Sequence, residues 1–148
     1  LEKLSVDGCS FVMDCAHNQA GIRAFIDYLV RTEVGLIDLT FGVLDTKNWK
    51  EMVGMLAPHV RHWRLIIPDS ERALPLEQVQ AEIRVSSNEV RISSYGSNYE
   101  GLARDMIRSS EGEVRYVTGS MYMIGKLRNV LGVPFKPIWS MVNNRTVV

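Results

Sequence analysis

Apolar residues recur along the chain with two periods, and each change of period marks a boundary between elements. Leu4-Ser5-Val6, the Asp7-Gly8 turn and Ser10 to Met13 read as a short hairpin, two β-type runs around a turn dipeptide. From Gln19 the period changes: Ile22, Phe25, Ile26 and Leu29 fall at i, i+3, i+4 and i+7, the buried stripe of an amphipathic helix. Leu36 to Leu44 reads as a buried strand. Trp49, Met52, Val53 and Leu56 mark a second helix that ends before Pro58. Arg64 to Ile67 reads as the next strand, and Pro75, which needs no N–H in a first turn, opens a third helix with Leu76, Val79 and Ile83 inward. Val90 to Ser93 is a strand, Tyr99, Leu102, Ala103 and Met106 form one helix face, Val114 to Val117 is a strand, and Ile124, Leu127 and Leu131 belong to the last helix.

This regular alternation predicts an α/β fold, a three-layer Rossmann-like sandwich whose sheet is largely parallel and carries an N-terminal hairpin. Residues 1–131 form that unit. The tail 132–148, with Pro134, Phe135, Pro137 and Trp139, has no role assigned from its sequence. There is no internal repeat and no low-complexity linker.

Composition narrows the function classes. The 148 residues are 46% hydrophobic and 23% charged, which suits one globular domain. Seventeen basic and seventeen acidic residues cancel, which argues against a strongly electrostatic nucleic-acid binder. No apolar run approaches the roughly 20 residues needed to span a bilayer, and no signal peptide is evident. A cytoplasmic protein that binds neither nucleic acid nor membrane is expected. Cys9 and Cys15, placed along one predicted strand, would lie roughly 20 Å apart, beyond the reach of a disulfide, and without a Cys-x-x-Cys no zinc site is supported. Cys15 sits beside a helix N-terminus, which can lower a thiol's pKa, although a packing role is the simpler reading.

The candidate chemistry gathers at strand-to-helix turns. Asp14-Cys15-Ala16-His17-Asn18-Gln19-Ala20-Gly21 puts a carboxylate, an imidazole and an amide between the first long strand and the first helix. Ligands of open α/β sheets bind beyond the carboxyl ends of strands, where helix N-termini favour anions. Two readings stand for this octet: a ligand site, or helix capping by Asp14 and Asn18. Phe41 to Lys47 and Val117 to Tyr122 lie at further turns of the same kind. Lys47 is either a point charge for a carboxylate or phosphate, or a solvated loop residue. Ser120, with Thr118 and nearby N–H groups, either binds an anion or caps its helix. His17 either donates to a ligand carboxylate or bonds local backbone, and Arg72, before Pro75, reads as a surface arginine.

The octet resembles the Asp-x-Ala-His-Asn-Pro segment that opens the C-terminal domain of folylpolyglutamate synthases and dihydrofolate synthases, in the Mur ligase superfamily. Phe41-Gly42-Val43-Leu44-Asp45-Thr46-Lys47 and Val117-Thr118-Gly119-Ser120-Met121-Tyr122 follow in that family's order, so the resemblance spans most of the chain. Gln19 replaces the family's proline, which removes a pre-set φ at the first helical position but leaves the helix start possible. Asp45-Thr46-Lys47-Asn48 only loosely follows the family's Asp-Lys-Asp or Asp-Arg-Asp.

The resemblance implies a Mur ligase C-terminal domain in an enzyme that joins L-glutamate to dihydropteroate or a folate. ATP phosphorylates the substrate carboxylate, and the glutamate amine attacks the acyl phosphate. It implies Asp14 on the ribose side of ATP, with His17, Lys47 and Ser120 lining the glutamate or γ-phosphate side. The phosphate loop, the Mg²⁺ ligands and the folate site are implied for an N-terminal domain in cis, since no Gly-x-x-x-x-Gly-Lys-Ser/Thr occurs in this chain. The family's Pro-Gly-Arg segment is likewise absent from a chain that starts at Leu1. The isolated domain is therefore expected to have no catalytic residues of its own and no activity. Two alternatives stand: the C-terminal domain of a cell-wall amide ligase acting on a peptidoglycan precursor, and a non-catalytic Rossmann-like binding module.

Overall fold

The computed structural model describes residues 1–108 and 112–133. Pro134, Phe135, Pro137 and Trp139 lie outside the described residues. Strand β1 (Glu2–Val6) turns at Asp7 and Gly8 into β2 (Cys9–Met13). Both turn residues have positive φ, 49° and 79°, the geometry that lets a two-residue loop follow the twist of its strands. There follow α1 (Gln19–Arg31), β3 (Ile37–Phe41), α2 (Trp49–Leu56), a 3₁₀ turn at Ala57–His59, β4 (Val60–Leu65), α3 (Leu76–Ser86), β5 (Arg91–Ser94), α4 (Tyr99–Arg108), β6 (Val114–Thr118) and α5 (Met121–Val130). The sheet order is β1-β2-β6-β3-β4-β5, and only β1 runs antiparallel to its neighbour.

The period-two alternation of the strands sorts the apolar side chains into two cores. On one face Val12, Leu39, Phe41, Trp63 and Leu65 pack against the inward stripes of α1, α2 and α3. On the other, Phe11, Met13 and Val117 pack against Leu102 and Met106 of α4 and Ile124 and Leu127 of α5. The chain moves in one direction across the sheet from β2 through β5, then returns by α4 to insert β6 between β2 and β3. Right-handed crossovers oblige a reversed connection to use the opposite face, which is why α4 and α5 lie apart from α1 to α3. The loops after β2 and β3 consequently leave toward one face and the loop after β6 toward the other, so a crevice opens at the carboxyl ends of these three adjacent strands.

Several boundaries differ from the sequence reading. Strand β3 begins at Ile37, with Leu36 58% exposed, and it ends at Phe41, leaving Gly42 to Leu44 in a loop. Strand β5 is displaced by one residue. Cys15 lies past the end of β2, and both cysteines are free. The largest difference is β4, which starts at Val60 and ends at Leu65. Its first half, which the sequence reading left out, carries Arg61 and His62, and of these His62 is buried. Their polarity hid the strand from a hydrophobic pattern.

Those residues belong to an ion network beneath α4. Arg64 donates to Asp38 at 3.0 Å and to Asp105 at 3.1 Å, and Arg61 donates to Asp38 at 2.8 Å. Tyr95 hydrogen-bonds Asp105, and His62 lies 3.4 Å from Asp38 through Nδ1 and 2.9 Å from the Ser93 hydroxyl through Nε2. Partial burial pushes the Asp38 pKa up, but the hydrogen bonds from Arg61 and Arg64 outweigh it and hold the carboxyl at about 2. His62 is held below its ordinary value by burial and by Arg64. Both groups therefore bind protons more readily in the unfolded chain, so each adds stability at neutral pH that is lost as pH falls: Asp38 from about pH 4 downward, His62 from about pH 6.5 downward. Asp38→Asn should destabilise the fold by about 2–3 kcal/mol at pH 7, because it removes one of the two carboxylate partners of a buried guanidinium and leaves Asp105 as the other. Urea unfolding between pH 7 and pH 3 should show the variant losing less stability on acidification than the parent sequence.

Candidate functional site

Loops at the ends of β2, β6 and β3 bring the three sequence motifs side by side, because these strands are neighbours in the sheet. The backbone N–H of Asp14 donates to Val117 O at 2.9 Å, which carries the β2–β6 ladder to the foot of the first loop. Asp14 Oδ1 accepts from the Ala16 N–H at 2.8 Å. Capping of α1 falls to Asn18, whose Oδ1 accepts from the Gly21 N–H at 2.9 Å. Of the two residues considered as caps, only Asn18 acts as one. His17 donates from Nδ1 to the Cys15 carbonyl at 2.9 Å, because a carbonyl only accepts, and this leaves Nε2 as the nitrogen for other partners. Burial, with the Asp14 charge second, pushes the Cys15 thiol up, against the lowered value considered for a thiol at a helix N-terminus.

Two glycines let the second and third loops touch. Gly119 has φ 119°, and a Cβ there would collide with the Gly42 carbonyl and the Phe41 ring. A Cβ at Gly42 would meet the Ile66 carbonyl at 2.7 Å and the Met123 sulfur at 2.9 Å. Neither position has room for a side chain, and Gly119 sits where only glycine is unstrained. The contact fixes where Ser120 begins α5.

Ser120 occupies the N-cap position of α5, yet its side chain makes no capping bond. Its hydroxyl is buried, 1% exposed, and has no hydrogen-bond partner among the described residues. The Thr118 hydroxyl behind it is also buried without a partner. An unpaired buried hydroxyl costs about 1–3 kcal/mol, and a helix N-terminus adds unpaired N–H groups and a positive dipole end. Ser120 opens onto a cavity of about 150 Å³ whose walls include His17, Val43, Thr46, Arg72 and Tyr122. No acidic residue lines it.

Of the sequence candidates, the fold brings His17 and Ser120 into this cavity. Asp14 stands at the foot of the same loop as His17. Lys47 is exposed and follows Thr46, which lines the cavity; Lys47 itself does not. The cation that does is Arg72, read from sequence as a surface arginine. It is exposed, but Leu44 and Ala73 form an antiparallel bridge, the Asp45 N–H donates to Arg72 O at 2.8 Å, and the guanidinium donates back to Asp45 O at 3.0 Å. Its one visible signal in the sequence was its place in the turn after β4. A larger, open hollow of about 470 Å³ lies between the start of α3 and the end of β5, near Leu74, Leu76, Gln80 and Gly96. Glu77 is its only charged wall residue, so it offers an anion nothing comparable.

No protein-family model and no curated protein matches the chain. Solved structures do resemble it. A bifunctional folylpolyglutamate synthase/dihydrofolate synthase from Yersinia pestis superposes with a TM-score of 0.72 at 18% identity, covering 88% of this chain and 31% of that one. The Mycobacterium tuberculosis folylpolyglutamate synthase, solved with ADP and AMPPCP, gives 0.71 at 22% identity, covering 93% and 32%. A murein peptide ligase from Psychrobacter arcticus gives 0.61 at 12% identity, covering 92% and 30%. At these identities the likeness is one of fold, and it bears out the expected α/β architecture and its resemblance to the C-terminal domain of these ligases. The chain spans about a third of the length of each.

Gly119→Ala should cost several kcal/mol, about 3 or more, because strain at positive φ and a backbone collision act together. Asn18→Ala should cost about 1 kcal/mol, an N-cap loss. Thermal unfolding of both variants checks the ranking, which an equal or reversed order would contradict.

Proposed function

We propose that this chain is the C-terminal domain of an ATP-dependent amide ligase that joins L-glutamate to dihydropteroate or a folate. The carrying observation is Ser120: a buried hydroxyl without a partner among the described residues, at an uncapped helix N-terminus, in a residue that lines a cavity walled also by Arg72 and His17 and by no acidic residue. That donor set suits a small dianionic amino acid better than it suits water alone. The three motif loops and the likeness to glutamate-adding ligases support the same substrate class.

In this reading Ser120, the first N–H groups of α5 and Arg72 hold the glutamate carboxylates. His17 offers Nε2 beside them, and Lys47 adds a second positive charge at the rim. Their work is positional: the amine must meet the acyl carbon of an acyl phosphate at about 3–3.5 Å, with water kept out. Attack forms the amide bond and expels phosphate. Asp14, on the neighbouring loop, accepts hydrogen bonds from the ribose hydroxyls of ATP. Among the described residues no group of three or more His, Cys, Asp or Glu could hold a metal ion, and Mg²⁺ in this reading is held by the phosphate-loop domain in cis, in a cytoplasmic enzyme. The murein peptide ligase likeness keeps a peptidoglycan precursor as the second substrate reading, with the same seat for the amino acid.

Ser120→Ala separates a ligand role from a capping role. Because the hydroxyl makes no bond in the fold, its removal should leave stability unchanged or slightly raised, whereas a cap would cost about 1 kcal/mol. In the full-length enzyme the same variant should raise the glutamate KM about tenfold or more while moving the ATP KM less, the cost of one charge-assisted hydrogen bond. Asp14→Ala should show the opposite split, with the ATP KM rising. Phosphate release that requires both L-glutamate and dihydropteroate checks the reaction itself; release that requires a muramyl peptide instead would replace the folate reading with the cell-wall one.

A further inference from the structure

A second cluster of reactive groups lies on the sheet face under α4, and none of its members lines the three-loop cavity. Asp38, His62 and Ser93 come from the neighbouring strands β3, β4 and β5. The Ser93 hydroxyl oxygen stands 2.9 Å from His62 Nε2, and His62 Nδ1 stands 3.4 Å from Asp38 Oδ2. A carboxylate only accepts, so the imidazole proton sits on Nδ1, Nε2 is the acceptor, and the serine hydroxyl donates to it. Nucleophile, base and carboxylate thus stand in the order that serine hydrolases use, an arrangement defined by geometry and not by position in the chain. Catalytic hydrogen bonds are often long before substrate binds, which accommodates the 3.4 Å spacing.

The surroundings suit the same roles. The His62 and Asp38 side chains are 5% and 11% exposed, whereas Ser93 is half-buried on an edge strand of the sheet. Burial and the Arg64 charge hold His62 below its ordinary pKa, so it is a free base at neutral pH. Tying Arg64 to α4 takes Asp38 and Asp105, and the Ser93–His62 bond is no part of that tie. The Tyr95 N–H donates to Leu65 O, toward β4, so by strand alternation the Ser94 N–H points to the open side of β5. The N–H of the residue after a nucleophile is a recurrent donor to the developing oxyanion.

We propose that Ser93 is a nucleophile activated by His62, with Asp38 as the positioning residue, and that it takes short-chain acyl esters with a good leaving group. Access across an open sheet edge to a half-buried hydroxyl suits a small acyl group. Ser93 Oγ bonds to the acyl carbon as its proton passes to His62 Nε2; the ester C–O bond breaks, and the alcohol leaves with that proton. Water then attacks the acyl-serine and gives a proton to Nε2, and the carboxylic acid departs as Ser93 recovers it. Nothing in this depends on the ligase reading.

The probe is an alkyl fluorophosphonate, which forms a P–O bond to the serine oxygen as the P–F bond breaks and fluoride leaves. With this chain near neutral pH it should give an adduct mapped to Ser93 by peptide mass spectrometry, and p-nitrophenyl acetate should be hydrolysed by the parent sequence and not by Ser93→Ala. His62→Gln should slow adduct formation about a hundredfold, the scale of a lost general base. Asp38→Asn should slow it about tenfold, with Asp38→Glu recovering part of the rate. Because His62 and Asp38 variants can lose the fold, Ser93→Cys gives a second reading with both partners in place: iodoacetamide should alkylate the introduced thiol about tenfold faster than Cys15, an exposed free cysteine of the same chain. No adduct at Ser93, an unchanged rate in folded His62→Gln, or alkylation no faster than at Cys15 would overturn the assignment and leave the cluster a purely structural role.

Discussion

Everything at the carboxyl edge depends on two backbones approaching too closely for side chains. Gly119 can touch the Gly42 carbonyl only because it carries no Cβ and accepts a φ of 119°, while Gly42, also without a Cβ, lies close against the Ile66 carbonyl and the Met123 sulfur. That approach is possible because β6 is inserted between β2 and β3. The insertion follows in turn from the chain reversing direction after β5 and crossing on the other face. Topology thus places three loops together, with the glycine contact immediately before Ser120, whose buried hydroxyl makes no bond to its own helix.

The chemical character of the crevice follows from what the loops leave out. The chain carries equal numbers of acidic and basic residues, yet the cavity walls hold Arg72 and His17 and no carboxylate. A positive pocket in a neutral domain is thereby obtained without an overall basic surface. The ion network under α4 has a separate task, joining β3, β4 and α4 on the face away from α1 to α3.

Most of the fold was legible because its helices are strongly amphipathic: Ile22, Phe25 and Leu29, or Leu102 and Met106, fall on the buried stripes their spacing predicts. The start of strand β4 was misplaced because Arg61 and His62 belong to an ion network, His62 being buried, and no hydropathy pattern distinguishes a buried paired group from an exposed one. The site was legible in part. His17 and Ser120 belong to motifs with a resemblance behind them, and the three motif loops do converge. Arg72 was not legible as a wall of the cavity, because what carries it there is a bridge between two loops far apart in sequence, Leu44 with Ala73. Which of Asp14 and Asn18 caps α1 was equally a matter of geometry: both residue types suit the role, and only Asn18 stands three residues before a free N–H.

The most direct measurement is an NMR titration of the ¹⁵N-labelled chain with L-glutamate. Binding at the three-loop cavity predicts amide shift changes confined to Gly119 to Tyr122, His17, Thr46 and Arg72, and their loss in Ser120→Ala. Changes centred on Leu74 to Gln80 and Gly96, around the larger hollow, or none at glutamate concentrations that saturate the full-length enzyme, would contradict the assignment of this cavity as the amino-acid seat.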